Sequence, residues 1–341
     1  ILGGAMAWGI PKYRLPKDLM NEELMARLNE VGAEVKLETA VEDLNTLMSE
    51  GYDAVFLGIG ADQCNSLRCE GEDSEGVISF IDFLTAVNLR NETPEIGSRV
   101  IVIGGGNSAM DAARTAVRLG ADEVTLFYRR TEGEMPASLH EVHGAMEEGV
   151  NFDFLSSQIK IIPGKPLKIN FQAMIPGEPD DSGRRRPMPM EGRGVTVEAD
   201  TIISAIGYRG LVPAGMGVEV NRWGQIETDE DLKTSRDNVW AGGDAVYGPT
   251  SVIAALRDGR IAASSIDKYL GGEGLSDSTP DMSEFVARPV DKEALMEAPQ
   301  AAIPELDPDA RIKGFDEVEL LLEKCTATCE AGRCWRCDWN E

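Results

Sequence analysis

The sequence predicts an α/β protein built from parallel sheets with covered faces, and three observations carry that prediction. Short, nearly continuous apolar runs recur at 52–60, 99–103, 201–207 and 238–244, several of them ending in glycine. A strand buried on both faces reads this way because neither side of its pleat meets water. Helical patterns at 18–31, 108–119 and 251–270 alternate with these runs, and such alternation marks strands joined by crossover helices. A triple glycine at 104–106 sits directly between a strand pattern and a helix pattern. With 341 residues the chain has room for two domains of ordinary size.

In chain order, 18–31 reads as an amphipathic helix and 34–37 as a strand. The run at 52–60 is a buried strand whose carboxyl end opens toward a ligand. Residues 99–103 form the next strand, followed by the glycine turn, a helix over 108–119 and a strand at 123–128. Between 151 and 198 the pieces are shorter, and the stretch 176–193, rich in Gly, Pro and Arg, reads as a loop in an antiparallel insert rather than a linker. Two further buried strands, 201–207 and 238–244, precede the helix at 251–270. From 271 to 308 the texture changes to Pro, Asp, Ser and Glu, a wrapping or linking tail that leads to a short amphipathic piece at 315–320. No internal repeat of solenoid length is present in the sequence.

Composition narrows the function. Lys and Arg number 33 against 59 Asp and Glu, a net charge of −26 that repels a phosphate backbone and excludes nucleic acid as an expected partner. No apolar run reaches the roughly 18 residues of a membrane span. Six cysteines in so long a chain are not a secreted disulfide framework, and four of them crowd into 325–337. The chain opens Ile1-Leu2-Gly3-Gly4, without Met or a targeting segment. The expectation is a cytoplasmic protein and a piece of something longer.

Gly104-Gly105-Gly106-Asn107-Ser108-Ala109 fits G-x-G-x-x-A in the right context. The first glycine permits the tight turn, the second lets backbone approach a pyrophosphate, and the small Ala109 lets helix pack closely on strand. The phosphates then rest on the amides at the helix start. The alternative is a glycine-rich turn without a ligand. In NAD sites an acidic residue about 20 positions further on holds the ribose 2′-hydroxyl. Here that strand ends in Tyr128-Arg129-Arg130, and two guanidiniums suit a 2′-phosphate, which favours NADP over NAD. Alternatively the arginines pair with Glu132 and Glu134.

Several motifs in one order carry a resemblance. They are Gly3-Gly4, Gly9-Ile10-Pro11-x-Tyr13-Arg14-Leu15-Pro16, GGGNSAMD from 104, YRRTEGEMPAS at 128–138, SGRRRPMP at 182–189 and AGGDAVYGPTSVIAALRDGRIAA at 241–263. From residue 1 to about 270 the chain resembles the small (beta) subunit of glutamate synthase. It is similar, too, to the large subunit of NADH-dependent ferredoxin:NADP oxidoreductase and the flavin-containing half of dihydropyrimidine dehydrogenase. The resemblance implies two Rossmann-like domains of the glutathione-reductase type, the NAD(P) domain inserted in the FAD domain. The expected division is 1–95 and 226–270 for FAD, 96–225 for NAD(P), 271–324 for a tail and 325–341 for a cysteine segment.

The resemblance also implies roles. Gly243 and Asp244 match the Gly-Asp that closes on FAD, the carboxylate accepting from the ribityl chain or a phosphate-side hydroxyl; a simple turn cap is the alternative. Thr250, Ser251 and Val252 open a helix whose dipole would face the flavin pyrimidine edge. Gly60 and Ala61, and Gly207 after Ile206, match the second glycine motifs, although Gly58-Ile59-Gly60 stands where the family has Ala-Thr-Gly. Gly4 belongs to the opening glycine element. The family's own first G-x-G-x-x-G lies upstream of Gly3-Gly4, so the expectation is an FAD site completed by residues before Ile1.

Cys325, Cys329, Cys334 and Cys337 are spaced so that four thiolates can meet on one metal centre, a 4Fe-4S cluster or zinc, with unligated thiols the alternative. Residues 330–337 resemble the family segment that introduces iron-sulfur ligands. Cys64 and Cys69 read as structural, His140 and His143 as a surface pair on a helix, and Arg184-Arg185-Arg186 as a structural turn or docking patch. The whole reads as a flavin-dependent oxidoreductase that takes hydride from NAD(P)H and passes single electrons to iron-sulfur centres, the terminal site lying on partner subunits. No acid or base residue is demanded by that step. Its competitors are a disulfide reductase using Cys334 and Cys337, and a non-catalytic scaffold that keeps the nucleotide folds.

Overall fold

A computed structural model describes residues 1–180, 183–275 and 300–332. The centre is a five-stranded parallel sheet of β3 (Val77–Ser79), β4 (Arg99–Ile103), β5 (Glu123–Tyr128), β6 (Asn151–Phe154) and β10 (Thr201–Ser204), in the order β3-β10-β4-β5-β6. One face is covered by α4 (Phe80–Asn88), α5 (Asn107–Arg118) and α6 (Leu139–Glu147). Four alanines of α5 (Ala109, Ala112, Ala113 and Ala116) are buried there, so the helix lies close on the strands.

The other face meets a second sheet, not helices. β7 (Ser156–Ile162), β8 (Leu167–Pro179) and β9 (Arg185–Ala199) form an antiparallel three-stranded sheet, as the reading of an antiparallel insert expects. Ile161, Ile169 and Phe171 pack on Ile101, Ile103 and Ile202, and Phe127 stacks on Phe171 with ring centres 3.9 Å apart. Full burial of one such ring stabilises by roughly 2–3 kcal/mol. The stretch expected as a loop at 176–193 is largely strand, ending β8 and beginning β9.

The remaining elements form a smaller α/β body. β1 (Val55–Leu57) pairs in parallel with β12 (Val239–Ala241), and α8 (Val252–Tyr269) packs Ala262 on Trp240, whose indole N–H donates to Ser265 at 2.8 Å. Leu44 of α3 (Leu44–Ser49), Met216, Ile226 and Val246 of α7 (Asp244–Tyr247) share one core with these strands. The chain crosses between the bodies at β2 (Gln63–Cys64) and β11 (Tyr208–Arg209), which pair antiparallel. α1 (Gly4–Trp8) and α2 (Lys17–Glu30) precede α3, and α9 (Pro308–Arg311) and α10 (Lys324–Gly332) lie in the tail.

β3 joins the central sheet and α4 covers it, although both lie upstream of 95, while Met216, Val212 and Val218 pack with the β1–β12 body although they precede 225. The crossover follows the paired strands β2 and β11, which is where the cores divide. The strand expected at 34–37 makes no ladder, and Val35 and Leu37 stay exposed; alternation without a neighbouring edge leaves its backbone groups to water. The piece at 315–320 is extended, held by a bridge between Glu305 and Glu319.

Candidate functional site

The glycine turn lies at the carboxyl end of β4, where the sheet order places β10 on one side and β5 on the other. This is the crevice position at which open parallel sheets bind ligands. Gly104 adopts φ +153°, and a Cβ there would stand 2.1 Å from the Ala205 carbonyl oxygen. Its N–H donates to the Phe127 carbonyl at 3.1 Å, which fixes the turn between two strands. At Gly105 a Cβ would meet the Tyr128 ring at 2.4 Å, and that ring is anchored by its hydroxyl donating to the Glu134 carbonyl at 2.9 Å. Gly106 is the N-cap of α5 and offers no side-chain cap. Asn107 is committed elsewhere, its Oδ1 accepting from the Ser138 N–H at 2.9 Å. Ser108 is half-buried and Ala109 fully buried against the turn. The protein's own atoms fill the space over Gly104 and Gly105, while a Cβ at Gly106 would come no nearer than 3.9 Å to another residue, so the first amides of α5 lie beside the open side of the turn, an arrangement that suits a pyrophosphate.

The two arginines after β5 part company. Arg130 is buried, its Nη2 is 2.6 Å from Asp180 Oδ2, and its Nε donates to the Arg185 carbonyl at 2.9 Å. Arg129 is exposed and makes no ion pair among the described residues. Burial, and then the charges of Arg130 and Arg184, hold its pKa below the usual arginine value. The partner considered for the arginines at Glu134 is otherwise engaged, its carboxylate accepting from Thr131 N–H and Oγ1 and from Arg185 N–H.

On the smaller body, Gly243 and Asp244 follow β12. The Gly243 N–H donates to Asp258 Oδ2 at 2.9 Å, and Asp244 Oδ1 accepts from Thr250 N–H at 3.2 Å. Asp244 therefore does cap the turn, with a second carboxylate oxygen beyond that bond. Burial raises its pKa. Ser251 caps α8 by accepting from Ala254 N–H, and Val252 begins the helix. Gly60 and Ala61 close the β1 segment, while Gly207 accepts from Asn65 N–H at 3.0 Å where the chain crosses back. Gly4 is exposed at the start of α1.

Two residues were missed by sequence reasoning. Asp258 is buried and orients Gly243, and its signal is an acidic residue on the same helix face as buried Ala262. Tyr208 packs on Trp8 and Phe80, and its hydroxyl is pushed up to about 12 by burial and then by the charge of Asp244. An aromatic directly after Gly207 was the available sign.

Cys325 and Cys329 are exposed and stand one turn apart on α10, which puts both thiols on one face. Cys334 and Cys337 lie outside the described residues. Among the described residues no group of His, Cys, Asp and Glu is arranged to hold a metal ion. Cys64 and Cys69 are free thiols whose pKa burial raises, so neither is an activated thiolate. His140 is exposed on α6 and pairs with Glu319 at 2.9 Å. No helix among the described residues is long and apolar enough to cross a membrane.

The sequence profile of the pyridine nucleotide-disulphide oxidoreductase family matches residues 16–259. The chain is 37% identical to the NADP(+)-dependent formate dehydrogenase subunit beta of Moorella thermoacetica, covering 99% of this chain and 50% of that protein. It is 39% identical to a putative glutamate synthase (NADPH) small chain of Cereibacter sphaeroides over 79% of this chain and 68% of that one. The chain thus spans about half the length of the formate dehydrogenase subunit. FprA of Mycobacterium tuberculosis in complex with NADPH shares the fold, with TM-score 0.65 and 20% identity over 80% of this chain and 77% of that one.

Proposed function

The chain belongs to the pyridine nucleotide-disulphide oxidoreductase family, and we propose that it is the nicotinamide-nucleotide and flavin module of an electron-transfer complex. NADP(H) binds on the turn Gly104–Ala109, its pyrophosphate on the first amides of α5 and its 2′-phosphate toward Arg129. FAD is held by the β1–β12 body, with Gly243, Asp244 and the start of α8 at Thr250, Ser251 and Val252 facing it, and Gly60, Ala61 and Gly207 lining the crossover. Asp258 holds the Gly243 backbone in place for that contact.

The single observation that carries this reading is the Gly104–Gly106 cradle with an arginine rather than an acid at the end of β5. Bound FAD supplies the chemistry of accepting a hydride's two electrons and releasing them singly. The protein's share is alignment. Asp244 keeps an oxygen for a ligand hydroxyl, and Tyr208 walls the site with a neutral phenol beside it. Cys325 and Cys329 offer soft donors on one face of α10, and with Cys334 and Cys337 they suit a 4Fe-4S cluster that hands electrons to a partner subunit. The paired names of the relatives, a formate dehydrogenase subunit and a glutamate synthase chain, fit one electron-input module serving different terminal sites.

Anaerobic titration of the intact protein with NADPH and with NADH is the test. NADPH is expected to bleach the flavin bands at lower concentration than NADH, and iron is expected in the same preparation. Bleaching by neither nucleotide overturns the enzyme reading, and an iron-free preparation with titratable thiols overturns the cluster.

A further inference from the structure

We propose that Arg14 is a positioning residue for hydride transfer: by joining the opening segment to α5 and α6, it fixes the spacing between the glycine turn and the flavin side of the molecule. The proposal rests on the reading of Gly104–Ala109 as the nucleotide turn and of the start of α8 as facing the flavin.

The opening segment precedes β1 in the chain, yet it packs on the central domain. Trp8 of α1 lies in one core with Phe83 and Leu84 of α4, its ring 6.3 Å from that of Phe80, and the buried Asn88 amide donates to the Trp8 carbonyl at 3.0 Å. Lys17 donates to the carbonyls of Met6 and Ile10, which draws the segment into a closed turn. Tyr13 is fully buried beneath the Arg118 guanidinium, which lies 3.8 Å from the ring centre. Arg14 then reaches two helices. Its Nη1 donates to both oxygens of Asp111 on α5 at 2.8 and 2.9 Å, and its Nε stands 2.7 Å from Glu141 on α6. Both carboxylates are buried.

A planar guanidinium held by buried carboxylates fixes direction as well as distance, whereas an exposed ion pair leaves both side chains free to reorient. Burial pushes the Asp111 carboxyl up, and Arg14 is the foremost charge drawing it back, so the two groups are coupled. The contact also has a telling place. Asp111 stands one turn beyond Asn107, the first residue of the helix that opens from the glycine turn. On the other side, Arg14 shares the wall of a cavity of about 450 Å³ with Met6, Ile10 and Val252, and Val252 begins α8. One side chain therefore ties the helix that carries the nucleotide turn to the segment that borders the flavin-facing helix. Hydride transfer depends on the separation of two bound rings, and a misplacement of about 1 Å costs on the order of a hundredfold in rate. The phosphate-binding amides at the start of α5 take no part in the contact, so its loss falls on transfer and spares binding.

Rapid-mixing reduction of the intact protein by NADPH, with calorimetry of NADP+ binding and hydrogen exchange on the same preparations, tests this. Arg14→Gln is expected to lower the limiting rate of flavin reduction by about tenfold or more while the NADP+ dissociation constant stays within about twofold. It is also expected to speed amide exchange across residues 5–16 and not in β1 or β12. Arg14→Lys is expected to recover only part of the rate, because an ammonium is a point charge that cannot hold two carboxylates on separate helices in fixed directions. Asp111→Asn keeps an acceptor for Arg14 without the charge; the same pattern in milder form is expected, and it stands in should the Arg14 variants not fold. Arg27→Ala removes an exposed pair with Glu30 and is expected to change none of the three measurements. An unchanged limiting rate in Arg14→Gln, a rate and an affinity that fall together, or a slower rate without faster exchange across 5–16 overturns the proposal. An unaltered protein that binds no NADP+, or whose flavin NADPH does not reduce, overturns the reading of the two sites and the proposal with it.

Discussion

Two pairs of neighbouring, chemically identical residues behave differently here, and in each case the partner decides. Arg129 and Arg130 are adjacent, yet one is exposed and the other is buried in an ion pair with Asp180. Gly104 and Gly105 both exclude a side chain, but for different reasons. The obstacle at Gly105 is the Tyr128 ring; at Gly104 it is the Ala205 carbonyl, 2.1 Å from the position of a Cβ. That carbonyl belongs to backbone whose N–H donates to Ile103 at 2.8 Å, so it cannot swing away. Gly104→Ala must then move a strand end, and overpacking with an unfavourable φ costs about 3 kcal/mol. Gly105→Ala displaces a ring instead and is expected to weaken nucleotide binding more than stability. Chemical denaturation of both variants distinguishes these outcomes, and a loss below about 1 kcal/mol for Gly104→Ala would show that the turn has slack.

At the scale of elements, α5 joins the glycine turn to a buried network of charge. Asp111 receives both contacts of Arg14 Nη1 at 2.8 and 2.9 Å, Arg14 Nε reaches Glu141 at 2.7 Å, and Arg114 bridges Glu141 and Glu148. Burial pushes the Asp111 carboxyl up to about 6, with Glu141 adding and Arg14 and Arg114 opposing. Its folded pKa thus exceeds the unfolded 3.8, so the native state binds the extra proton between those values. The stability that this group contributes is full below about pH 4 and is lost as the pH rises through 6. Glu148 behaves oppositely: burial alone would raise it, but Arg118 and Arg114 hold it down. Denaturation of the unaltered protein and Asp111→Asn between pH 4 and 7.5 isolates the first effect. The advantage of the unaltered protein should shrink by up to about 3 kcal/mol from pH 4 to 6 and then level; a difference that grows with pH would refute the assignment.

The legibility of these elements from sequence follows their physics. β4, β5, β10 and β12 are near-continuous apolar runs because parallel strands are covered on both faces, and α5 and α8 carry helical periodicity. The buried helix α4 went unread because it is only nine residues long, although Phe80, Phe83, Leu84 and Val87 stand at the i, i+3, i+4, i+7 spacing of one helical face. The Arg130–Asp180 pair was illegible for another reason. Its members lie 50 positions apart, and only the folded insert brings them together.

Across the whole molecule, the tail behaves as a strap. The Leu306 N–H donates to Val318, and the Leu320 N–H to Pro304. The Val318 N–H then donates to the Tyr13 carbonyl at 2.9 Å, and Phe315 packs beside Tyr13 with ring centres 6.4 Å apart. The strap is pinned to the central domain by Arg311, which is 4% exposed and pairs with Glu147 at 2.6 Å and Glu305 at 2.9 Å. Glu147 belongs to α6, while Tyr13 lies in the segment before α2, so one strap touches both. Because α10 with Cys325 and Cys329 follows directly, the anchorage of Arg311 sets where those thiols leave the body. Arg311 is buried but Glu147 and Glu305 remain partly in water, with side chains 55% and 24% exposed, so removing the guanidinium leaves them solvated and costs about 1.5–3 kcal/mol in lost charge-assisted contacts. Here Glu148 keeps Arg114 and Arg118, which limits the damage to the strap. Arg311→Ala is therefore expected to expose residues 300–323 to proteases well before the central domain unfolds, and to lower the melting temperature by a few degrees. Limited proteolysis followed by mass measurement checks it. Cleavage in the strap no faster than in the unaltered protein would mean that the Val318–Tyr13 contact alone holds the tail, and that Arg311 contributes to stability without governing where the thiols sit.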